Sequence, residues 1–372
     1  MPHGRKIVKV SRMAAVIALA LLGATAAPSW SQLPEQGERQ RTASAPNSQA
    51  SLDLIFVHDD EVKALLVPLA RRLGRRISED GSFRTNARGG TLNIENQRTA
   101  FIVVAGGVSA NDQALVSAGL RAVEWGLGQA GEDGSFPGNE SGRMLPRAFF
   151  VEAAGRVIRL LEAAPVSEDV KRRAIDLGPK LSVAARSLSL SDSLRDVVDR
   201  GANSNQLFVA GAALQQAALI SGDEQLAARA RKVVEAGLRR QDSEGVFFER
   251  GGFDTNYQSV SLEYLARYND LIADSPWKSQ IRAALYLGSK RLKRAISPSG
   301  AINAEHNTRT VPCGRPVPGQ AELGADSLPL RIHYVSLSLK DSTLTAAAIA
   351  ISRVGQRFDH AEQCADRLRT TP

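Results

Sequence analysis

The chain has 372 residues, 43% hydrophobic and 23% charged, which gives room for one large domain or two ordinary ones. A formal charge of +8 is compatible with a polyanionic partner without demanding one, and nothing in the sequence suggests a nucleic-acid-binding stripe, so no nucleic-acid partner is expected. Five scattered histidines show no metal-ligand spacing, and there is no phosphate loop, Gly-x-Ser-x-Gly elbow or dinucleotide fingerprint, so neither a metal nor a cofactor is expected.

Arg5, Lys6, Lys9 and Arg12 precede an apolar run, Met13–Gly23, and the small residues Ala24-Thr25-Ala26. This is the pattern of a cleaved signal peptide over 1–26, and the run is short for a membrane span. No cysteine follows it, so a lipid anchor is not expected; the mature chain is predicted to be periplasmic or secreted, with no stable membrane anchor. Cleavage would remove four basic and no acidic residues, taking the charge from +8 to +4. Residues 27–50 are polar and rich in Pro, Ser and Gln and read as a disordered leader. Residues 51–372 are then a single domain.

Ser51–Val57 reads as a short strand, and Asp59–Leu73 as a helix with Val62, Leu65, Leu66, Leu69 and Leu73 on one side. Phe101–Val104 is a β-branched apolar run that suits either a short strand or a buried helix. Asn111 is expected to cap a helix through Trp125. Further helices are predicted over Leu145–Glu162, Val170–Leu188, from Asn203 through Ala218, and over Glu224–Arg240, Tyr257–Ile272 and Trp277–Ile296. Ser297–Leu328, with four prolines, reads as a long irregular connection, and Leu344–Val354 and Asp359–Leu368 as the closing helices. In an exported protein Cys313 and Cys364 are expected to pair and tie the last helix back, the alternative being two unpaired thiols. Such a loop contributes about 4 kcal/mol.

Similar turns recur along the chain. Ser-Glu-Asp-Gly-Ser-Phe ends at Phe83, Gly-Glu-Asp-Gly-Ser-Phe at Phe136, Asp-Ser-Glu-Gly-Val-Phe at Phe247 and Ser-Pro-Ser-Gly-Ala-Ile at Ile302. Their glycines, Gly81, Gly134, Gly245 and Gly300, stand 53, 111 and 55 residues apart, the middle gap being two periods with a missing copy near Ser189. A repeating helix pair of about 55 residues predicts an all-α fold, an (α/α)6 toroid.

The densest polar stretch is Gln241–Tyr264, QDSEGVFFERGGFDTNYQSVSLEY, which gathers Glu249, Arg250, Asp254, Asn256 and Tyr257. Asn203, Asn205 and Gln206 open the preceding helix, and His306 and Arg309 follow the fourth turn. Each also has a structural reading. Asn203 and Asn205 suit helix caps, Tyr257 a core aromatic, Glu249 and Arg250 a solvated face, and His306 an exposed loop.

Ser204-Asn205-Gln206, Ser243-Glu244-Gly245-Val246-Phe247, Arg250 and Tyr257 together resemble alginate lyases and the wider (α/α)-toroid polysaccharide lyases over about seventy residues. Gln206 stands where those enzymes carry histidine. The resemblance implies β-elimination from an acidic, uronate-containing polysaccharide, with no cofactor or metal. Asn205, Gln206 and Arg250 would neutralise the carboxylate as charge develops, Tyr257 or His306 would move protons, and Asn203, Glu249, Asp254, Asn256 and Arg309 would bind sugars. Two alternatives stay open. One is a glycoside hydrolase with a carboxylate pair drawn from Glu140, Glu249, Asp254 and Glu305. The other is a non-catalytic periplasmic glycan-binding or exopolysaccharide-assembly protein.

Overall fold

A computed structural model describes residues 51–83, 93–137, 143–201, 203–303, 307–308 and 324–354. The chain divides into two units, Met1–Ser48 and Gln49–Pro372, and every described residue belongs to the second. The described residues are all-α: strand pairing is confined to isolated bridges at turns. Cys313 and Cys364 and the expected Asp359–Leu368 helix lie outside the described residues.

The helices are α1 (Leu52–His58), α2 (Asp60–Gly74), α3 (Thr99–Ala110), α4 (Gln113–Gly128), α5 (Met144–Ala163), α6 (Glu168–Ile175) and α7 (Gly178–Leu190). They continue with α8 (Asp192–Arg200), α9 (Ser204–Ser221), α10 (Glu224–Leu238), α11 (Thr255–Leu271), α12 (Pro276–Arg294), α13 (Gly324–Leu339) and α14 (Ser342–Val354). A 3-10 turn, Ile94–Arg98, leads into α3.

Composition sorts these helices into two layers. In α5, sixteen of twenty residues are buried, and α3, α9 and α11 are likewise covered on nearly every side. In α12 only five of nineteen are buried, and α2 and α10 also keep a single apolar stripe. A helix covered all round belongs inside, and a one-stripe helix belongs outside. The inner helices pack in succession, α3 on α5, α5 on α9, α9 on α11 and α11 on α13. From α13 the contacts return to α1 and α2, which themselves pack on α3. On the outside, α4 covers α3, α7 covers α5 and α9, α10 covers α9, α12 covers α11 and α14 covers α13.

The four recurring turns are one structure. In each, the glycine N–H donates to a carbonyl three residues back: Gly81 to Ser78, Gly134 to Gly131, Gly245 to Asp242 and Gly300 to Ser297, all at 2.9–3.1 Å. All four glycines have positive φ, and a Cβ on any of them would collide with a backbone carbonyl of the next outer helix: Arg121, Val183, Leu287 and Ala350 respectively. Glycine is therefore required twice over, by the turn and by the close approach. Near Ser189, where a fifth copy would fall, the chain instead forms α8, whose Val197 and Val198 carbonyls accept from Arg240 at 2.9 Å.

Several expectations need correction. Ser51–Val57 is helical, because Ser51 caps α1 by accepting the Leu54 N–H. Phe101–Val104 is the buried helix of its two readings, and its burial on both sides hides the period. Asn111 ends α3 in the left-handed region, and Asp112 is the cap of α4, accepting from Ala114 and Leu115. Val170–Leu188 breaks at Asp176–Leu177 into α6 and α7. Part of the supposed irregular connection is α13, which runs through Pro329.

Candidate functional site

The loop between α10 and α11 is held from behind by Gln258. Its amide, fully buried, accepts the Phe247 N–H at 2.9 Å and donates to the Gly245 and Gly288 carbonyls at 2.8 and 3.2 Å. Phe247 packs edge-on against Phe208 of α9, with ring centroids 4.9 Å apart. The chain then makes a tight hairpin in which Glu249 and Gly252 exchange backbone hydrogen bonds, with Arg250 and Gly251 both at positive φ. This hairpin sits on the start of α9. The Arg250 N–H donates to Asn203 Oδ1 at 3.1 Å, and the Ser204 N–H to the Phe248 carbonyl at 3.1 Å.

The same loop is clasped from the far side by the segment after the fourth turn. Thr255 donates to Asn307 Oδ1 through its N–H and its hydroxyl, at 3.0 and 2.9 Å. Thr308 donates to the Phe253 and Glu249 carbonyls. His306 and Arg309 flank this docked pair in sequence but lie outside the described residues, as do Glu140 and Glu305.

The first turns of α9 and α11 and the hairpin thus come together. Asn205 is buried, and its Oδ1 accepts no hydrogen bond among the described residues. Gln206 is half-buried beside it. Asp254 caps α11, accepting the Tyr257 N–H at 3.0 Å, and Tyr257 is half-buried. Glu249 is buried and Arg250 is exposed. Asp254 is therefore the cap of α11, whereas Asn203 holds the N-cap position of α9 without a side-chain cap bond, its Oδ1 being taken by the Arg250 N–H. Asn205 lies two residues beyond that position and is no cap.

Asn256 connects this region to a group of charges that sequence reasoning missed. Arg331 of α13 donates to Asn256 Oδ1 at 2.8 Å and lies 3.5 Å from Glu263. Glu263 pairs with Arg267, Arg267 with Glu152 at 3.0 Å, Glu152 with Arg156 at 3.8 Å, and Arg156 with Asp53. The chain of charges runs through α13, α11, α5 and α1, and its members between Glu263 and Asp53 are buried. Aromatic faces cover the guanidinium groups: Phe101 lies 3.4 Å from Arg156, Tyr264 lies 4.3 Å from Arg267, and Phe149 lies 4.3 Å from Arg98.

Burial is the largest single influence on Glu152, Asp53, Tyr264 and Arg331, but it does not set the direction in every one. It raises Glu152 above the ordinary carboxylate value despite Arg267 and Arg156, with Asp53 and Glu263 pushing the same way. Burial works against Asp53 too, yet the bonded Arg156 outweighs it and holds Asp53 low. Tyr264 is pushed up to about 12 by burial, so it stays a neutral phenol. Burial also lowers Arg331, whose charge is only partly offset by Glu263.

Among the described residues no group of three potential ligands could hold a metal ion, and no helix is long and apolar enough to cross a membrane. Neither the models of known protein families nor the curated proteins include a match to this chain.

Proposed function

We propose that this chain is an (α/α)6 toroid that binds an acidic polysaccharide and cleaves it at a uronate unit by β-elimination. The toroid reading is supported by six successive helix pairs, α1–α2, α3–α4, α5–α7, α9–α10, α11–α12 and α13–α14, whose contacts lead back to their start. The functional reading rests above all on one juxtaposition. Arg331, a cation under pressure from burial, is bonded to Asn256 in the same helical turn as Tyr257. A substrate carboxylate beside that guanidinium would be neutralised as charge develops on it, with the N-terminal turns of α9 and α11 adding positive potential. Asn205 supplies a buried amide in the adjacent first turn, and Tyr257 is the proton-transfer group.

Hydrolysis by Glu249 and Asp254 ranks lower. Both are buried, and Asp254 is already engaged as a cap. Incubation with polyuronates should produce the ultraviolet absorbance of an unsaturated uronate, and Tyr257→Phe should lower kcat about 100-fold or more. New reducing ends without that absorbance would establish hydrolysis instead. Binding without either product would establish the glycan-binding reading.

A further inference from the structure

We infer that the outer face of α12, together with the α13–α14 turn, is a second binding site for an acidic glycan chain. This surface lies outside the helix-end site and contains none of its residues. The helix carries six basic residues, Lys278, Arg282, Lys290, Arg291, Lys293 and Arg294, and no acidic one. Arg282, Tyr286, Lys290 and Lys293 follow one another at three- and four-residue spacing, which sets them along one stripe.

Tyr286 is 63% exposed, more than any other aromatic ring among the described residues. It borders a shallow, open groove that Arg282, Leu339 and Lys340 also line. Lys340 is lifted at the end of α13 by a left-handed backbone, φ 56°.

Charge decides what the groove suits. Its one carboxylate, Asp341, is already engaged: Lys293 donates to it at 3.0 Å and the Thr343 N–H at 3.0 Å. Arg282, Lys290 and Lys340 have no acidic partner among the described residues. The surface is therefore an exposed phenol ring beside cations that no described carboxylate compensates. A pyranose lays its apolar face on such a ring while its hydroxyls stay in water, and a uronate carboxylate accepts charge-assisted hydrogen bonds from a guanidinium or ammonium group. Tyr286 is the one aromatic ring among the described residues that line the groove, and a single ring is a poor platform for successive nucleic-acid bases, which favours the sugar.

Calorimetric titration of the full chain with polygalacturonate, polymannuronate and hyaluronate provides the test, with dextran as the neutral control. Phosphatidylglycerol vesicles and a single-stranded oligonucleotide serve as the competing anions. At least one uronate polymer should bind, weakening as salt is raised. The Arg282→Ala/Tyr286→Ala/Lys340→Ala variant should lose about 10-fold or more of that affinity at unchanged Tm, since all three side chains lie at the surface. The titrations are made in the Tyr257→Phe background, which keeps the polymer uncleaved, and the loss on substituting Arg282, Tyr286 and Lys340, none of them in the helix-end site, is what separates this component from the cleavage site. Wild-type affinity in the triple variant, equal binding of dextran, or no binding of any uronate polymer would each overturn the assignment. So would binding that depends on these residues only for the vesicles or the oligonucleotide.

Discussion

Arg156 is 1% exposed, bonded to Asp53 and stacked on Phe101. A buried charge of this kind is tolerable only with its partner in place. Arg156→Met should therefore cost about 3–5 kcal/mol, measured by urea denaturation, because it leaves Asp53 buried without its counter-charge. Adding Asp53→Asn should recover part of that loss, and no recovery would show that the two are not coupled. Glycines give a second contrast at this scale. Gly245 has φ 87° and no space for a Cβ, whereas Gly222 has φ 69° with open space around it. Gly222→Ala should cost about 1 kcal/mol and Gly245→Ala at least about 2 kcal/mol more, read from the same denaturation midpoints. The two features differ in how far sequence reveals them. A glycine demanded by a turn is a local requirement and recurs with the repeat, so Gly81, Gly134, Gly245 and Gly300 were legible. Asp53, Glu152, Arg156, Glu263, Arg267 and Arg331 meet only through tertiary packing, and charged residues on helices ordinarily read as solvated faces. The same limit applied to Asn256, whose partner Arg331 lies two helices further along the chain.

At the scale of the element, α1 is a seven-residue helix whose first N–H, from Leu52, donates to Asp270 Oδ2 of α11 at 3.3 Å. Burial, and then the neighbouring Asp53, raise Asp270 from 3.8 to about 6. The folded chain thus holds this proton more tightly than the unfolded chain does. Between about pH 4 and 6 the folded state binds more protons, so this group's contribution falls as pH rises and stays unfavourable above pH 6. Asp270→Asn, which keeps an acceptor for Leu52, should stabilise the protein at pH 7 by on the order of 2 kcal/mol and make no difference near pH 3.5. A variant less stable at pH 7 would show that the carboxylate charge itself anchors α1. Helices such as α1, α8 and α13 were the ones sequence reading misjudged, for separate physical reasons. A run of apolar residues at α1 mimics a strand. The α8 helix replaces an expected turn, and α13 follows a proline-rich stretch and contains Pro329. By contrast α2, α5, α10, α11 and α12, with clear caps or long stripes, lie within a few residues of where periodicity put them.

Across the whole molecule, repeat architectures with only nearest-neighbour contacts tend to lose cooperativity, since each unit opens independently. Two features oppose that here. The first helices touch the thirteenth, joining early and late parts of the chain, and the buried ion pairs link α1, α5, α11 and α13 in a line that no single pair can leave without stranding a charge. Unfolding should therefore be one concerted transition despite the repeats. The tryptophans allow this to be measured at two places, because Trp125 lies on α4 and Trp277 on α12, where its indole N–H donates to the Tyr268 hydroxyl at 3.3 Å. Trp30→Phe/Trp277→Phe leaves the α4 reporter, and Trp30→Phe/Trp125→Phe leaves the α12 reporter. In each variant the fluorescence midpoint in urea should coincide with the far-ultraviolet circular dichroism midpoint of that same variant. A fluorescence midpoint in either variant displaced from its own dichroism curve would mean that the two halves unfold separately, and that the line of ion pairs does not couple them.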